Sequence, residues 1–359
     1  MKTIARMALE PGMVLAEDVQ NAKNEVIVPA NTLVDPTVIS KLTRYSVMAV
    51  TIMEDIDFAT THFEKVRLSD GFKVFEESYQ TYFPIYKEMI NNLITKGIPV
   101  DTDILMDIYH KITDPIRFGK TMLDYLYNMI PNEDELTHTH CFNSALIAGV
   151  FADWLGMKEE QKNILILCGF FYDIGKLKLP NDLLWKTGKL TDEEFAQIKT
   201  HPILGYEIIK KSQTNLNIHV VKSIIMHHER FDGEGYPSGL KLHDIDFYAR
   251  HISIIDSYEA MTSPRVYRQS LTPLQVVERF EKSGMLQYDY ELLRPIMKRI
   301  ADTQIGLTVK LNDDSFWEVF LINQLCLSRP VLKKYIEDKD EYEFLDLMKR
   351  YDLEIMAIY

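Results

Sequence analysis

The first sixty residues combine short apolar runs with turn-forming residues. Three runs contain β-branched residues and are separated by Pro, Gly and Asn: Met13–Ala16, Glu25–Val28 and Val47–Ile52. Such runs predict strands. Between the second and third runs, Asp35–Leu42 predicts a short helix with Pro36 at its first position. We therefore expect a small β-rich domain over residues 1–60.

The apolar pattern becomes helical from about Phe63. Apolar residues then recur at steps of three and four: Phe75, Tyr79, Tyr82, Phe83, Tyr86, Met89, Ile90 and Leu93. This spacing predicts a helix whose aromatic face either joins the core or contacts a partner, including a second copy of the chain. We expect residues 61–115 to be a helical connector.

The remainder of the chain predicts a large helical domain followed by a smaller appendage. Residues 116–300 carry an almost wholly helical pattern. Apolar runs at Gly306–Leu311 and Phe316–Ile322, joined by the polar segment Asn312–Asp314, predict a β-hairpin. A final helix is expected over Asp340–Ile355. The predicted fold is mainly α, with a β-rich N-terminal domain and a C-terminal appendage of hairpin and helix over 301–359.

Charge and cysteine usage narrow the function classes. The chain has 359 residues, with 40 Lys and Arg against 53 Asp and Glu, so its formal net charge is −13. This excludes a general basic clamp on a nucleic-acid polymer, because such binding needs many phosphate contacts. A local basic pocket for a small phosphorylated ligand is compatible with this negative net charge. The three cysteines form no CxxC pair, which is typical of a reducing compartment.

Hydropathy predicts neither a membrane segment nor a targeting segment. The longest apolar run, Ile164–Tyr172, has nine residues, whereas a membrane-spanning helix needs about 20. Met1–Val14 lacks the apolar region of a signal peptide. We therefore expect a cytoplasmic protein without a membrane partner.

The candidate chemistry lies among histidines in the helical middle of the chain. Histidines accompany acidic residues at several points there: His140, Asp173, His201, His227, His228 and Asp256. Neutral imidazoles and carboxylates together form sites for Mn, Fe or Zn. A carboxylate shared by two cations can hold them about 4 Å apart for in-line attack on phosphorus. By contrast, the isolated histidines are expected to be surface or core residues: His110, His138, His219, His243 and His251.

One block of the sequence is too specific to be accidental, namely His227-His228-Glu229-x-x-Asp232-Gly233-x-Gly235-Tyr236-Pro237. It resembles the motif of the HD-GYP family, a branch of the HD phosphohydrolase superfamily that hydrolyses the bacterial second messenger cyclic di-GMP. Other blocks are similar to those of the family in the same order: Thr137-x-x-His140-x-x-Asn143, Tyr172-Asp173-Ile-Gly-Lys176, His201-Pro-x-x-Gly205, and Ala249 to Arg268.

The resemblance implies roles for individual residues. It implies six metal ligands, with Asp173 as the bridge: His140, Asp173, His201, His227, His228 and Asp256. Asp173 and Lys176 are the implied catalytic residues. The implied substrate-binding residues are Lys176, Gly235, Tyr236, Glu259, Arg265 and Arg268. The planar forks of the two arginines suit phosphate oxygens.

The sequence departs from the family pattern at three positions. Tyr172 stands where the family has the first histidine of its His-Asp dyad, and a phenol is a poor ligand at neutral pH. Glu259 replaces the usual Asp, and Leu136 replaces the Glu of members with three metals. We therefore expect two divalent ions, Fe or Mn with Zn as the alternative, with a complete site at one position and a site weakened by Tyr172 at the other.

Two functional hypotheses follow from the resemblance. The first is a phosphodiesterase that uses a metal-bound hydroxide to hydrolyse cyclic di-GMP to linear pGpG, with further hydrolysis to GMP left open. The second is a catalytically degenerate member that binds cyclic di-GMP or partner proteins in signalling. Another HD-type nucleotide phosphohydrolase is a third reading, which the intact Gly-Tyr-Pro block disfavours. Expected partners are cyclic di-GMP, other signalling proteins and a second copy of the chain.

Overall fold

The computed structural model describes the chain except residues 1, 10–12, 22–25, 31, 46, 53–60, 117–118, 185, 187, 264–269 and 285. The chain divides into two compact units, Met1–Ser69 and Asp70–Tyr359. Most described residues lie in helices, with small sheets near the two ends, so the predicted mainly α fold is confirmed. The predicted domain boundaries at 60, 115 and 300 stay predictions. Within the described residues, every helix is too short or too polar to cross a membrane.

The N-terminal unit is small and contains both strands and helices. Its elements are β1 (Lys2–Ala5), β2 (Val19–Gln20), β3 (Val26–Val28), α1 (Pro36–Arg44), β4 (Ala49–Ile52) and α2 (His62–Leu68). The strands form two antiparallel pairs, β1 with β4 and β2 with β3. The predicted helix begins as expected, because the Asp35 carboxylate accepts a hydrogen bond of 2.7 Å from the Val38 amide. An aliphatic core that includes Leu15, Val34 and Leu42 holds this unit together.

The second unit begins with a helical body. Its helices are α3 (Asp70–Lys96), α4 (Thr102–Thr113), α5 (Gly119–Asn128), α6 (Leu136–Trp154), α7 (Glu159–Phe171), α8 (Asn181–Leu184), α9 (Asp192–Ile198), α10 (His201–Ser212), α11 (Ile218–Met226), α12 (Phe247–Thr262), α13 (Pro273–Ser283) and α14 (Tyr290–Asp302). Helix α6 is buried almost all round and packs against α7 and α12. A helix that is apolar on every face belongs at the centre of a bundle.

The aromatic stripe of α3 lies in the core. Phe75, Tyr79, Phe83 and Tyr86 are all buried. The rings of Tyr79 and Tyr86 each lie 5.1 Å from that of Phe142 on α6. The core interpretation of this stripe is therefore confirmed for these positions, and the stripe fastens α3 to the helix that carries His140.

The C-terminal region is a sheet, which differs in part from the prediction. Five antiparallel strands are arranged in the order β8 (Glu341–Asp346), β7 (Val331–Ile336), β6 (Phe316–Leu321), β5 (Thr308–Leu311) and β9 (Ile355–Ile358). The predicted hairpin is confirmed as β5 and β6. The predicted terminal helix over Asp340–Ile355 is wrong, because β8 pairs with β7 along its whole length and β9 pairs with β5. The apolar positions of this segment suit either period, and pairing with available strands decides between them.

Candidate metal centre

A buried carboxylate, that of Asp173, is the hub of the centre. The apolar segment of α7 packs against α6 and ends at Phe171, and Asp173 then precedes a short 3-10 turn over Ile174–Lys178. The Asp173 side chain is fully buried; Oδ1 has no hydrogen-bond donor within the described structure, whereas Oδ2 lies 2.6 Å from the ammonium group of Lys176. A buried carboxylate oxygen without a donor is costly unless a cation compensates it.

Two histidines present free nitrogen lone pairs to Asp173. His201 opens α10 and donates its Nδ1 proton to the Ile198 carbonyl oxygen at 2.7 Å. His227 follows α11 and donates its Nδ1 proton to the carbonyl oxygens of Ser223 and Ile224 at 3.1 and 3.0 Å. With Nδ1 protonated in each neutral ring, each Nε2 is an acceptor. The two Nε2 atoms lie 3.2 and 3.8 Å from Asp173 Oδ1. Backbone carbonyls that orient the rings in this way are typical of metal-ligating histidines.

The distance between the two rings fits a metal ion. The Nε2 atoms of His201 and His227 are 3.1 Å apart, although neither neutral ring has a proton there to share. Two imidazole nitrogens that bind one ion at about 2.1 Å lie about 3 Å apart. Burial lowers the pKa of His201 to about 3 and that of His227 to about 4, which keeps both rings neutral as metal binding requires.

A third histidine completes the set. The candidate ligand atoms of Asp173, His201, His227 and His228 all lie within 4.8 Å of one another. Burial also places the pKa of His228 well below its ordinary value. Three neutral imidazoles and one carboxylate are a donor set that suits Mn, Fe or Zn. The residues of this triple-histidine side therefore fit a divalent cation.

The opposite side of Asp173 has different chemistry. His140 from α6 and Asp256 from α12 meet there, with Nε2 of His140 2.8 Å from Asp256 Oδ1 and 3.7 Å from Asp173 Oδ2. The Tyr172 hydroxyl lies 2.6 Å from His140 Nε2 and donates to Asp256 Oδ1 at 3.2 Å. The same hydroxyl is 3.1 Å from Ser144 Oγ. This tyrosine side, defined by Tyr172, His140 and Asp256, is a cluster joined by hydrogen bonds.

Charge on the tyrosine side is compensated by protons. Burial raises the pKa of Tyr172 well above its ordinary value, and the carboxylates of Asp256 and Asp173 raise it further, so the phenol stays protonated. Burial by itself lowers the pKa of His140, but the carboxylates of Glu259 and Asp256 raise it to about 10. Lys176 Nζ lies 2.6 Å from Asp173 Oδ2 in an ion pair. Cationic side chains therefore balance the carboxylates here.

Glu259 lies behind His140. Its carboxylate accepts hydrogen bonds from His140 Nδ1, from Asn143 Nδ2 at 3.0 Å and from the Ser263 hydroxyl. The residue is 3% exposed. These contacts argue against the substrate contact predicted for Glu259, because its carboxylate is buried and already used.

The loop after His228 is anchored by a buried carboxylate. Glu229 accepts hydrogen bonds from the amides of Ser238 at 2.7 Å and Leu240 at 2.9 Å. A Cβ at Gly235 would lie 2.4 to 2.5 Å from backbone atoms of residues 228–230, so only glycine fits there. The loop returns Tyr236 onto His228, with the two rings stacked at 4.7 Å. Tyr236 thus provides an aromatic surface beside the triple-histidine side.

The structure brings together most of the predicted site residues. Lys176 and the five other predicted metal ligands surround Asp173, and Gly235 and Tyr236 lie beside His228. Arg265 and Arg268 lie outside the described residues, so their predicted phosphate contacts remain predictions. Sequence reasoning missed Ser144 and the anchoring role of Glu229. Ser144 lies four residues after His140 on α6, and that spacing places the two on one helical face.

Comparison with known proteins gives a family match over the middle of the chain. The model of the HD domain family matches residues 124–292. The cyclic di-GMP phosphodiesterase response regulator RpfG of Xanthomonas campestris is 40% identical over 127 residues, which cover 35% of this chain and 33% of that protein. The cyclic di-GMP phosphodiesterase PA4108 of Pseudomonas aeruginosa is 28% identical over 247 residues, with coverage of 68% and 58%.

A third relative gives a similar picture. The cyclic di-GMP phosphodiesterase of Thermotoga maritima is 30% identical over 177 residues, which cover 49% of this chain and 48% of that protein. The matched region thus spans between 33% and 58% of the length of these three relatives. The likeness includes the segments that carry the histidines and carboxylates around Asp173.

Proposed function

We propose, from the premise that residues 124–292 are an HD domain of the HD-GYP family, that this chain is a metal-dependent phosphodiesterase that hydrolyses cyclic di-GMP. The family match bears out the resemblance that the sequence motifs predicted. The three relatives described above are all named as cyclic di-GMP phosphodiesterases, which supports this activity and this substrate.

The observation that carries the proposal is the set of free lone pairs on the triple-histidine side. Asp173, His201, His227 and His228 converge with neutral rings and a buried carboxylate oxygen, Oδ1 of Asp173, that accepts no hydrogen bond from the described residues. A purely structural cluster would leave these buried acceptors uncompensated. We propose that these four residues hold a divalent cation, Fe or Mn before Zn. When bound, such an ion supplies Lewis acidity for phosphodiester hydrolysis.

The side chains around the ion have separate proposed tasks. Lys176 is 23% exposed, so its ammonium group can contact a phosphate oxygen while it pairs with Asp173. A fixed cation at that point neutralises charge that develops on the phosphoryl group. The Tyr236 ring stacks on His228, and its opposite face is the proposed stacking surface for a guanine base. Arg265 and Arg268 keep their proposed role as phosphate-binding residues.

We also propose the product of the reaction, the cellular setting and the further partners. The proposed product is linear pGpG, since cleavage of one phosphodiester opens the cyclic dinucleotide. Further cleavage to GMP is the alternative end point. The proposed setting is cytoplasmic signalling, and other signalling proteins and a second copy of the chain are the further proposed partners.

A binding module without turnover is the second candidate function. The observation that favours it is Tyr172, whose hydroxyl joins His140 and Asp256 by hydrogen bonds in place of a dyad imidazole. Such a protein would keep the loop and Lys176 for ligand recognition but lack part of the catalytic apparatus.

A turnover assay separates the two candidates. Protein purified without oxygen and supplied with Fe(II) or Mn(II) is incubated with cyclic di-GMP, and products are separated by chromatography. Metal-dependent formation of pGpG that is abolished by a chelator supports the enzyme. Absence of product from folded, metal-loaded protein would overturn it, and calorimetric titration with cyclic di-GMP would then test the binding module.

A further inference from the structure

The two oxygens of Asp173 face opposite kinds of surroundings. Oδ1 faces the Nε2 lone pairs of His201 and His227 at 3.2 and 3.8 Å. Oδ2 faces the ammonium group of Lys176 at 2.6 Å and His140 Nε2 at 3.7 Å. A carboxylate that bridges two ions needs an open cation position at each oxygen. Among the described residues, Oδ1 faces no cation, whereas the ammonium group of Lys176 lies at Oδ2.

The candidate ligands on the tyrosine side are bonded to one another. Asp256 Oδ1 accepts from the Tyr172 hydroxyl at 3.2 Å and lies 2.8 Å from His140 Nε2. The other ring nitrogen of His140 faces Glu259. Nε2 of His140 thus lies within hydrogen-bond distance of Asp256 and the Tyr172 hydroxyl, whereas Nε2 of His201 and of His227 faces no donor among the described residues. On the tyrosine side, the atoms Nε2 of His140 and Oδ1 of Asp256 are therefore already engaged with each other.

The Tyr172 ring prevents the side chains of the tyrosine side from rearranging to bind a metal ion. It is fully buried, and its hydroxyl is held by three partners: His140, Asp256 and Ser144. A phenol hydroxyl held in this way does not provide the imidazole nitrogen or carboxylate oxygen that such ions take as ligands. Filling this side with an ion would break all three hydrogen bonds and displace the Lys176 ion pair, and residue 172 would offer no imidazole nitrogen in exchange.

We infer that this chain binds one metal ion, not the two that its family resemblance implies. The ion is held by Asp173, His201, His227 and His228, while Tyr172 closes the neighbouring position. This inference rests on the proposed metal dependence but not on turnover. It makes Tyr172 the residue that determines the number of ions.

Ion counting tests the inference. The full chain is stripped of metal, reloaded with Mn(II), freed of excess ion and measured by elemental analysis together with protein concentration. We expect about one ion per chain for the unmutated protein. We expect Tyr172→His to approach two and the matched control Tyr172→Phe, which keeps the ring but offers no ligand, to stay at one. Electron paramagnetic resonance provides a second readout, since two neighbouring Mn(II) ions give an exchange-coupled spectrum and one gives an isolated spectrum.

Every outcome either supports or overturns the inference that the chain binds one ion. Two ions, or none, in the folded unmutated protein would overturn the inference, and so would Tyr172→His that folds yet stays at one. If Tyr172→His fails to fold, a second pair of variants decides: His227→Gln should lose the ion and Asp256→Asn should keep it. Loss of the ion in Asp256→Asn would contradict the inference. One ion without turnover would support the inference about ion number and refute the proposed phosphodiesterase. Two ions with turnover would refute the inference and support the phosphodiesterase.

Discussion

The two sides of Asp173 use similar residue types for different purposes. On the triple-histidine side, neutral rings aim unprotonated nitrogens at a carboxylate oxygen that accepts no hydrogen bond. On the tyrosine side, an imidazole lies between two carboxylates and a phenol closes the cluster. The difference lies at Nε2 of each ring. Nε2 of His201 and of His227 faces Oδ1 of Asp173, whereas Nε2 of His140 lies within hydrogen-bond distance of Asp256 and the Tyr172 hydroxyl.

This contrast shows that residue types alone do not define a metal site. His140, Asp173 and Asp256 have the right chemistry for a second ion, yet their contacts are already satisfied by Tyr172, Lys176 and Glu259. The triple-histidine side has no such substitutes among the described residues. Four substitutions test how independent the two sides are.

Asp173→Ala should have the largest effect, since it removes the carboxylate that both sides share. We expect hydrolysis of cyclic di-GMP to fall by at least about 10³-fold and bound Mn(II) to fall well below that of the unmutated protein. The measurements are turnover by chromatography and ion content by elemental analysis. Asp244→Ala removes an exposed carboxylate of the same unit and should change neither quantity. Normal turnover by Asp173→Ala would refute the proposed centre.

Gly175→Ala should disturb the triple-histidine side through the backbone. An added Cβ would lie 1.9 Å from the His201 carbonyl oxygen and 2.6 Å from the Gly205 amide nitrogen, so the start of α10 must move. Overpacking of this kind typically costs about 1–3 kcal/mol, and we expect weaker metal binding with it. Thermal unfolding with and without Mn(II) measures both. The control Gly188→Ala adds a Cβ with nothing within 4 Å, and equal behaviour of the two variants would exclude the effect.

Glu259→Gln should weaken the tyrosine side alone. The carboxylate accepts from His140, Asn143 and Ser263, and an amide group turns a donor toward at least one of these donors. Loss of a hydrogen bond to a charged group costs about 1.5–3 kcal/mol, which chemical denaturation would detect. Ion content should stay that of the unmutated protein. A fall in ion content would show that the two sides are coupled.

Tyr236→Leu should have the smallest effect. It removes the ring that stacks on His228 at 4.7 Å, and aromatic stacking contributes about 0.5–1.5 kcal/mol. We expect KM for cyclic di-GMP to rise about 3- to 10-fold. Tyr236→Phe keeps the ring and should retain the KM of the unmutated protein. If the Leu and Phe variants behave alike, the ring face contributes nothing to ligand binding.

The sequence alone determined the residue types of the centre and their helical setting. The His-His-Glu and Gly-Tyr-Pro block indicated the family, helical periodicity indicated the body of the fold, and the tyrosine before Asp173 marked the departure at the dyad. These features are local in sequence, so spacing and side-chain chemistry suffice to find them. The hairpin of β5 and β6 could be predicted from the sequence for the same reason, since its two strands are joined by a short polar turn.

Only the tertiary structure decided which of these groups compensate one another. His140 and Asp256 are separated by 116 residues, and their contact depends on how α6 packs against α12. Glu259 was predicted to bind the substrate, yet the same packing turns its carboxylate toward His140. The C-terminal strands were mistaken for a helix because their pattern fits two periods and their partners come from elsewhere in the chain. Burial and through-space pairing set the protonation of each ring and the pairing of each strand, and neither is encoded in the spacing of nearby residues.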